Sequence, residues 1–309
     1  MSESKLRQLI SSSLFIPEKD LSLFIARAPV AYKSFFIAKK DGGFRKINQP
    51  AKETKKLQRW VIEKVFSHLD IHDCAMAYRA KVSIKDNALV HSNNKYFLKL
   101  DFENFFGSIK SEDIQNFLHD KKIKLDDDDV RDLARILCIK DEGKLCLSVG
   151  APSSPAVSNA ILYAFDEEIS FWCLERKIAY TRYADDLTFS TKEQEACYSI
   201  KEKVKSILES MAYPRLKLNE SKTLSLSKKN NIKVTGITVT SDNKISIGRK
   251  RKRFIRSQVY KYKKGELKPS SVPRLRGLIA FFEHIEPGAI SKLEMKFGKE
   301  LMVRVVKGS

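Results

Sequence analysis

The sequence predicts an α+β fold organised around an antiparallel sheet, and three observations carry that expectation. Residues 34–50 hold two apolar-basic runs joined by Asp41-Gly42-Gly43, a turn-forming triplet that specifies a β-hairpin. Residues 96–101 alternate, with Tyr96, Leu98 and Leu100 on one side and Phe97, Lys99 and Asp101 on the other, which is the period of a strand. Strand and helix signals then alternate through the middle of the chain and give way to a basic, helical C-terminal region.

In chain order, residues 1–30 read as short helical stretches. Residues 55–69 place Leu57, Val61, Val65 and Leu69 on one helical face. Residues 126–140 form a helix whose first turn carries Asp126, Asp127, Asp128 and Asp129, solvated acids that complement the positive end of the helix dipole. Residues 154–177 predict one long helix, with Ser153 or Ser154 as N-cap and Pro155 in the first turn. Two strands, 178–183 and 186–190, meet at Asp185 and Asp186; an amphipathic helix over 197–211 follows. Short strands at 232–240 and 244–248 flank Ser241-Asp242-Asn243, and residues 249–264 and 272–285 are basic helices. No internal repeat or low-complexity linker appears, so the lobes are expected to be wound together.

Composition narrows the function. A chain of 309 residues suggests about two domains or one multi-lobed unit. The net charge is +20, and from Lys228 onward 21 Lys/Arg face 6 Asp/Glu, so +15 lies in the last quarter. Such a block marks a polyanion partner, nucleic acid before membrane. No apolar run reaches the roughly 18 residues that span a bilayer, and the N-terminus lacks the order of a secretory signal. The five cysteines (Cys74, Cys138, Cys146, Cys173, Cys197) include no CxxC pair, as expected for reduced packing thiols in a cytoplasmic protein.

The chemistry concentrates on three carboxylates. Adjacent Asp185 and Asp186 repel each other inside a strand-like run. If the strand ending in Asp101 is their neighbour, three acids meet at one sheet edge. Magnesium prefers such oxygens, and two-metal phosphoryl transfer sets its ions about 3.5–4 Å apart among converging carboxylates. One ion would activate an attacking hydroxyl and the other would hold a triphosphate. An Asp-Asp hairpin on its own is more often a solvated turn.

The surroundings add weight. Tyr183-Ala184-Asp185-Asp186 resembles the reverse transcriptase signature, and residues 100–109 (LDFENFFGSI) resemble that family's other catalytic strand. The resemblance implies a right-hand polymerase architecture in which Asp101 ligates both Mg2+ ions (Mn2+ able to substitute), assisted by the Phe102 main-chain carbonyl. Phe106 would be the aromatic gate that excludes a ribose 2′-hydroxyl. Residues 149–159 (VGAPSSPAVSN) resemble the segment packing on the template and incoming nucleotide through Gly150 and Ala151, with Val149 where the family has Gln. Residues 39–50 resemble the fingers hairpin, whose Lys39 or Lys40 and Arg45 would grip the triphosphate. Residues 218–223 (LNESKT) match a segment in which Lys222 protonates or neutralises pyrophosphate. The implied division is fingers 1–94, palm 95–111, a fingers insertion 112–148, palm 149–241 and an RNA-binding thumb 242–309.

Two further segments resemble bacterial retron reverse transcriptases: Asn87-Ala88-x-x-His91, and Val234-Thr235-Gly236. Arg276-Gly277 is similar to the retron thumb. Asn87 and His91 could equally be a satisfied polar pair on one helix face, and Val234-Thr235-Gly236 a strand ending in a turn. The retron resemblance implies a cognate non-coding RNA as template and primer, DNA synthesis from a guanosine 2′-hydroxyl, dNTP substrates, a branched RNA-linked DNA product (msDNA), and an accompanying effector protein in anti-phage defence. Lys250, Arg251, Arg253, Arg256 and Arg276 are candidates for RNA phosphates, with Tyr260 and Tyr262 for stacking. Rival expectations are a group II intron or diversity-generating reverse transcriptase, or an RNA-binding protein of the same fold without catalysis.

Overall fold

The computed structural model describes residues 4–39, 42–121, 123 and 125–307. Among the described residues eleven strands form four sheets. Strands β1 (Tyr32–Ala38) and β2 (Phe44–Pro50) make the expected antiparallel hairpin, with Ile37 opposite Arg45. The central sheet joins β3 (Tyr96–Asp101), β6 (Ala179–Tyr183), β7 (Asp186–Thr191) and β8 (Leu224–Ser227) in the order β6-β7-β3-β8, every pair antiparallel. A short hairpin, β4 (Ile139–Asp141) with β5 (Lys144–Cys146), and a small sheet of β9 (Ile232–Val234), β10 (Ile237–Val239) and β11 (Ile245–Ser246) complete the set.

Strand β3 sits between two hydrophobic cores, which is why its alternation does not separate buried from exposed. Leu98 and Leu100 enter the first core, with the N-terminal helices and the helices behind the sheet. Phe97 points the other way into a second core built from Ile232, Val234, Ile237 and Val239 and the C-terminal helices. The β9–β11 strands therefore pack with the C-terminal helices, β9 and β10 lying ahead of the boundary at 242 expected from sequence.

Several elements depart from expectation. The helix beginning near residue 55 spans Lys52–Lys64 and tightens into a 3-10 turn at Phe66–His68. The long helix over 154–177 is two helices, Ser154–Ile161 and Tyr163–Glu175, broken where Leu162 leaves helical geometry (ψ 7°). Ser153 holds the N-cap position of the first without a side-chain hydrogen bond to the helix, while the Ser154 hydroxyl donates to the Ser148 carbonyl (2.8 Å) and accepts from the Ser148 N–H (3.2 Å). The aspartate run is only partly solvated. Asp126 is the N-cap, but Asp129 is buried and accepts from Ser4 Oγ and the Leu6 N–H, while Asp132 pairs with Arg7 at 2.7 Å, docking the first helix (Lys5–Leu14). Strand β8, the β4–β5 hairpin and two final helices, Ala289–Phe297 and Lys299–Lys307, were not anticipated. All five cysteines are free and buried, and among the described residues no helix is long and apolar enough to cross a membrane.

Candidate active site

The sheet register assembles the three acids. Asp101, the last residue of β3, stands opposite Asp186, the first of β7, and Tyr183 of β6 pairs with the same Asp186. The β6–β7 connection is thus a two-residue turn, Ala184-Asp185, in which Ala184 is left-handed (φ 58°). A small side chain is favoured there because a bulky or β-branched one would meet its own backbone. The Phe102 N–H donates to the Asp185 carbonyl (3.1 Å), tying the main chain at Phe102 to the turn.

Burial, and then the charge of Asp101, raises the Asp185 carboxyl above the ordinary carboxylate range. Burial also raises Asp186, with Lys99 opposing and Asp185 adding to the shift. Lys222 crosses from the loop before β8, and its Nζ donates to Asp101 Oδ1 at 2.7 Å, a bond that raises the ammonium pKa. The three carboxylates repel one another, and the Lys222 ammonium offsets part of that charge.

The turn rests on a buried network that sequence reading missed. Arg182, wholly buried on β6, forms an ion pair with equally buried Asp166 at 2.5 Å. Its guanidinium also donates to Asn159 Oδ1 (3.1 Å) and to the carbonyl of Ala184 (3.3 Å). Tyr180 donates to Asp166 (2.9 Å), and Asn159 donates to the Ala77 carbonyl (2.9 Å). An arginine in a strand with no other charged residue was the available signal, since a buried charge requires a buried partner.

The hairpin β1–β2 brings Arg45 within electrostatic reach of this site. Lys39 and Arg45 are exposed on it, and the positive charge of Arg45 favours the ionised form of Asp185; Lys40 lies outside the described residues. The hairpin is docked by the Asn48 N–H, which donates to the Val149 carbonyl (2.7 Å). Gly150 has φ 111°, and a Cβ there would lie 2.7 Å from the Asn48 carbonyl oxygen, so only glycine permits the approach. Ala151 beside it is buried. Phe106, just beyond β3, is half-buried against Phe105, ring centroids 5.2 Å apart.

Residues 37–239 match the family described as reverse transcriptase (RNA-dependent DNA polymerase). The chain is 42% identical to the Retron Ec83 reverse transcriptase of Escherichia coli over 298 residues, 95% of each chain. It is 33% identical to the Retron Ec73 reverse transcriptase of the same organism, covering 90% of both. The chain belongs to the retron reverse transcriptases. These are RNA-directed DNA polymerases. Its fold is similar to that of apo telomerase from Candida Tropicalis (TM-score 0.51, 12% identity), matching 89% of this chain and 61% of the telomerase.

In this retron reverse transcriptase the side chains expected to touch RNA divide into two groups. Asn87, His91 and Val234 are buried, and their side chains offer almost no surface in this structure. Asn87 and His91 bond instead to Thr181 and Ser190 on the central sheet, because buried polar groups must find partners. Thr235 (φ 46°) and Gly236 (φ 80°) form the left-handed turn between β9 and β10, with Gly236 exposed. On the helix Arg249–Lys263, Lys250, Arg251, Arg253, Arg256 and Tyr260 are exposed, whereas Tyr262 packs against the second core. Arg251 lies over Phe281 at 5.5 Å, and Arg276 donates to the Val305 carbonyl (2.8 Å), which commits part of its guanidinium to packing.

Proposed function

We propose that this enzyme copies a cognate structured non-coding RNA into single-stranded DNA that remains joined to the RNA at the 2′-hydroxyl from which synthesis began. The observation that carries the chemical part is the register setting Asp101 opposite Asp186, with Asp185 one residue away. The donor set suits a hard divalent cation: it is all oxygen, burial raises two of the carboxyls, and an ammonium already sits on the third. Among the described residues no group of three or more His, Cys, Asp or Glu forms a ready metal cage. That is compatible with Mg2+, which takes one or two carboxylates and completes its shell with water and substrate phosphate.

Asp101, Asp185, Asp186 and the Phe102 main-chain carbonyl are the groups assigned to two such ions, Mg2+ or in its place Mn2+. When bound, the ions supply Lewis acidity for the attacking hydroxyl and offset charge on the departing pyrophosphate. Lys222, freed from Asp101, neutralises or protonates that pyrophosphate. Arg45, with Lys39 and Lys40, grips the triphosphate of a dNTP, Arg45 by bidentate contact. Phe106 lies beneath the sugar and leaves no room for a 2′-hydroxyl. Gly150 and Ala151 present backbone to the nascent base pair.

The fingers, palm and thumb are assigned the boundaries expected from sequence, save that β9 and β10 go with the thumb helices whose core they share. Thumb cations bind RNA phosphates and the DNA product in a cytoplasmic, membrane-free setting. The relatives' retron character supports a neighbouring effector protein and a role in anti-phage defence. The test is to extract small DNA from cells carrying the locus and treat it with RNase and a 2′-5′ debranching enzyme. Release of a short RNA remnant by debranching alone supports the reading. DNA with a free 5′ end and no covalent RNA would overturn it in favour of another kind of bacterial reverse transcriptase.

A further inference from the structure

The Asn87–His91 box and the Val234-Thr235-Gly236 turn are far apart in sequence, yet the structure joins them. Asn94 Nδ2 is 3.0 Å from the Ser190 carbonyl and 2.9 Å from Ser190 Oγ. Ser190 Oγ is 2.7 Å from His91 Nδ1, and His91 Nε2 is 2.8 Å from Thr181 Oγ1. Thr181 Oγ1 is 2.6 Å from Asn87 Oδ1, Asn87 Nδ2 is 3.4 Å from Thr235 Oγ1, and Thr235 Oγ1 is 3.3 Å from the Ile84 carbonyl.

Donor and acceptor chemistry gives this series one direction. A backbone carbonyl only accepts, so the Ser190 carbonyl fixes the Asn94 amide with its nitrogen facing Ser190. Ser190 Oγ therefore accepts from Asn94, which leaves its own proton free for His91 Nδ1. At the other end the Ile84 carbonyl takes the Thr235 proton, so Thr235 accepts from Asn87 Nδ2. That turns Asn87 Oδ1 toward Thr181, which must donate to it, and Thr181 can then only accept from His91 Nε2–H. The Thr181 end requires the Nε2–H tautomer, and the Ser190 end accommodates it by donating to Nδ1. His91 is also neutral, since burial, and secondarily Lys99, lowers its pKa to about 3.

The chain crosses from one core to the other. Thr181 and Ser190 lie on β6 and β7, the strands that lead into and out of the Asp185 turn. Thr235 belongs to the β9–β10 turn, and the helix Ile84–Val90, which carries Asn87, packs between them.

We propose that Asn94, Ser190, His91, Thr181, Asn87 and Thr235 form one polarised hydrogen-bond chain that fixes the thumb-side sheet against the strands bearing Asp185 and Asp186, with His91 as an Nε2-protonated positioning residue. The chain sets where the thumb holds the template–primer relative to the site of nucleotide addition, a role that rests on the active-site reading above. Losing it loosens the grip on nucleic acid between additions and leaves the triphosphate contacts alone.

Two measurements test this. In the full wild-type chain, 15N NMR of the histidine rings should show His91 at neutral pH with a protonated Nε2 and an unprotonated Nδ1. A protonated Nδ1 would overturn the chain, whether or not the enzyme is active. Second, Thr181→Val keeps the side-chain shape and removes the hydroxyl, whereas Thr181→Ser keeps the hydroxyl. On a primed heteropolymeric RNA, the valine variant should add about tenfold fewer nucleotides per binding event, the scale of one buried hydrogen bond. Its KM for dNTP should stay within about twofold of wild type, because uniform substrate binding is untouched. Thr181→Ser should restore product length. Wild-type product lengths from the valine variant, or equal loss in both variants, would refute the positioning role.

Discussion

Gly150→Ala probes the contact that docks the β1–β2 hairpin against residues 149–150. At φ 111° the added Cβ would sit 2.7 Å from the Asn48 carbonyl oxygen and 3.0 Å from Ile47 Cγ2. Asn48 is buried main chain in β2, so relief requires the hairpin to withdraw and the 2.7 Å bond from the Asn48 N–H to the Val149 carbonyl to open. Left-handed strain in a non-glycine residue costs about 1–3 kcal/mol. The lost hydrogen bond adds about 1 kcal/mol. A total of about 2–4 kcal/mol is carried by the docking of one hairpin, so it should appear as a rise of at least tenfold in the KM for dNTP. Single-nucleotide incorporation across a dNTP series measures KM, and a separate titration measures RNA affinity, which should not change. Gly288→Ala is the control: φ is 83° but nothing lies within 4 Å and the site is in the C-terminal helical region, so stability should fall without any change in KM. Wild-type KM in Gly150→Ala would refute the docking argument.

Three further outcomes follow from the site. Arg182→Met strands Asp166 without its buried partner and should destabilise the chain by about 3–5 kcal/mol in urea unfolding, while Arg182→Met with Asp166→Leu recovers most of it; a double variant no more stable than the single contradicts the account. Burial and Asp101 raise the folded-state pKa of Asp185 above its unfolded value, so the resulting stability is complete below the unfolded value and lost as pH rises through the folded one. In EDTA, Asp185→Asn should therefore be more stable than wild type near neutral pH, with the advantage vanishing on acidification; an advantage that grows in acid would reverse the sign and the argument. Phe106→Ala should admit ribonucleotides, read as a drop of about tenfold or more in the dNTP-to-rNTP ratio of kcat/KM, and unchanged sugar selectivity would remove Phe106 as the gate.

The parts of the fold legible in sequence were those with local signals. A turn triplet between apolar runs identified the β1–β2 hairpin, and acids at strand ends marked Asp101 and the Asp185–Asp186 pair. Their meeting was not legible, because it depends on β7 lying beside β3, a pairing made by residues 91 apart such as Leu98 and Phe189 (adjacent in space through register alone). The four residues of β8 are too few for a period to stand out, and Leu162 interrupts a helix without any Pro or Gly to announce it. The Arg182–Asp166 pair and the chain through His91 were invisible for the same reason: each is a tertiary solution to burying polar groups. Asn87 and His91 do share a helical spacing, but their partners come from β6, β7 and the β9–β10 turn. Exposure, which separates an RNA contact from a buried strut, is not written in a motif.

The most direct measurement is labelled-dNTP incorporation on a primed RNA with Mg2+, comparing wild type with Asp101→Asn, Asp185→Asn and Asp186→Asn, alongside RNA affinity for each. Loss of synthesis in all three variants, with RNA bound as tightly as by wild type, is the expected result. Undiminished synthesis in any one of them would mean that the carboxylates gathered at the end of β3 and β7 are not where DNA is made.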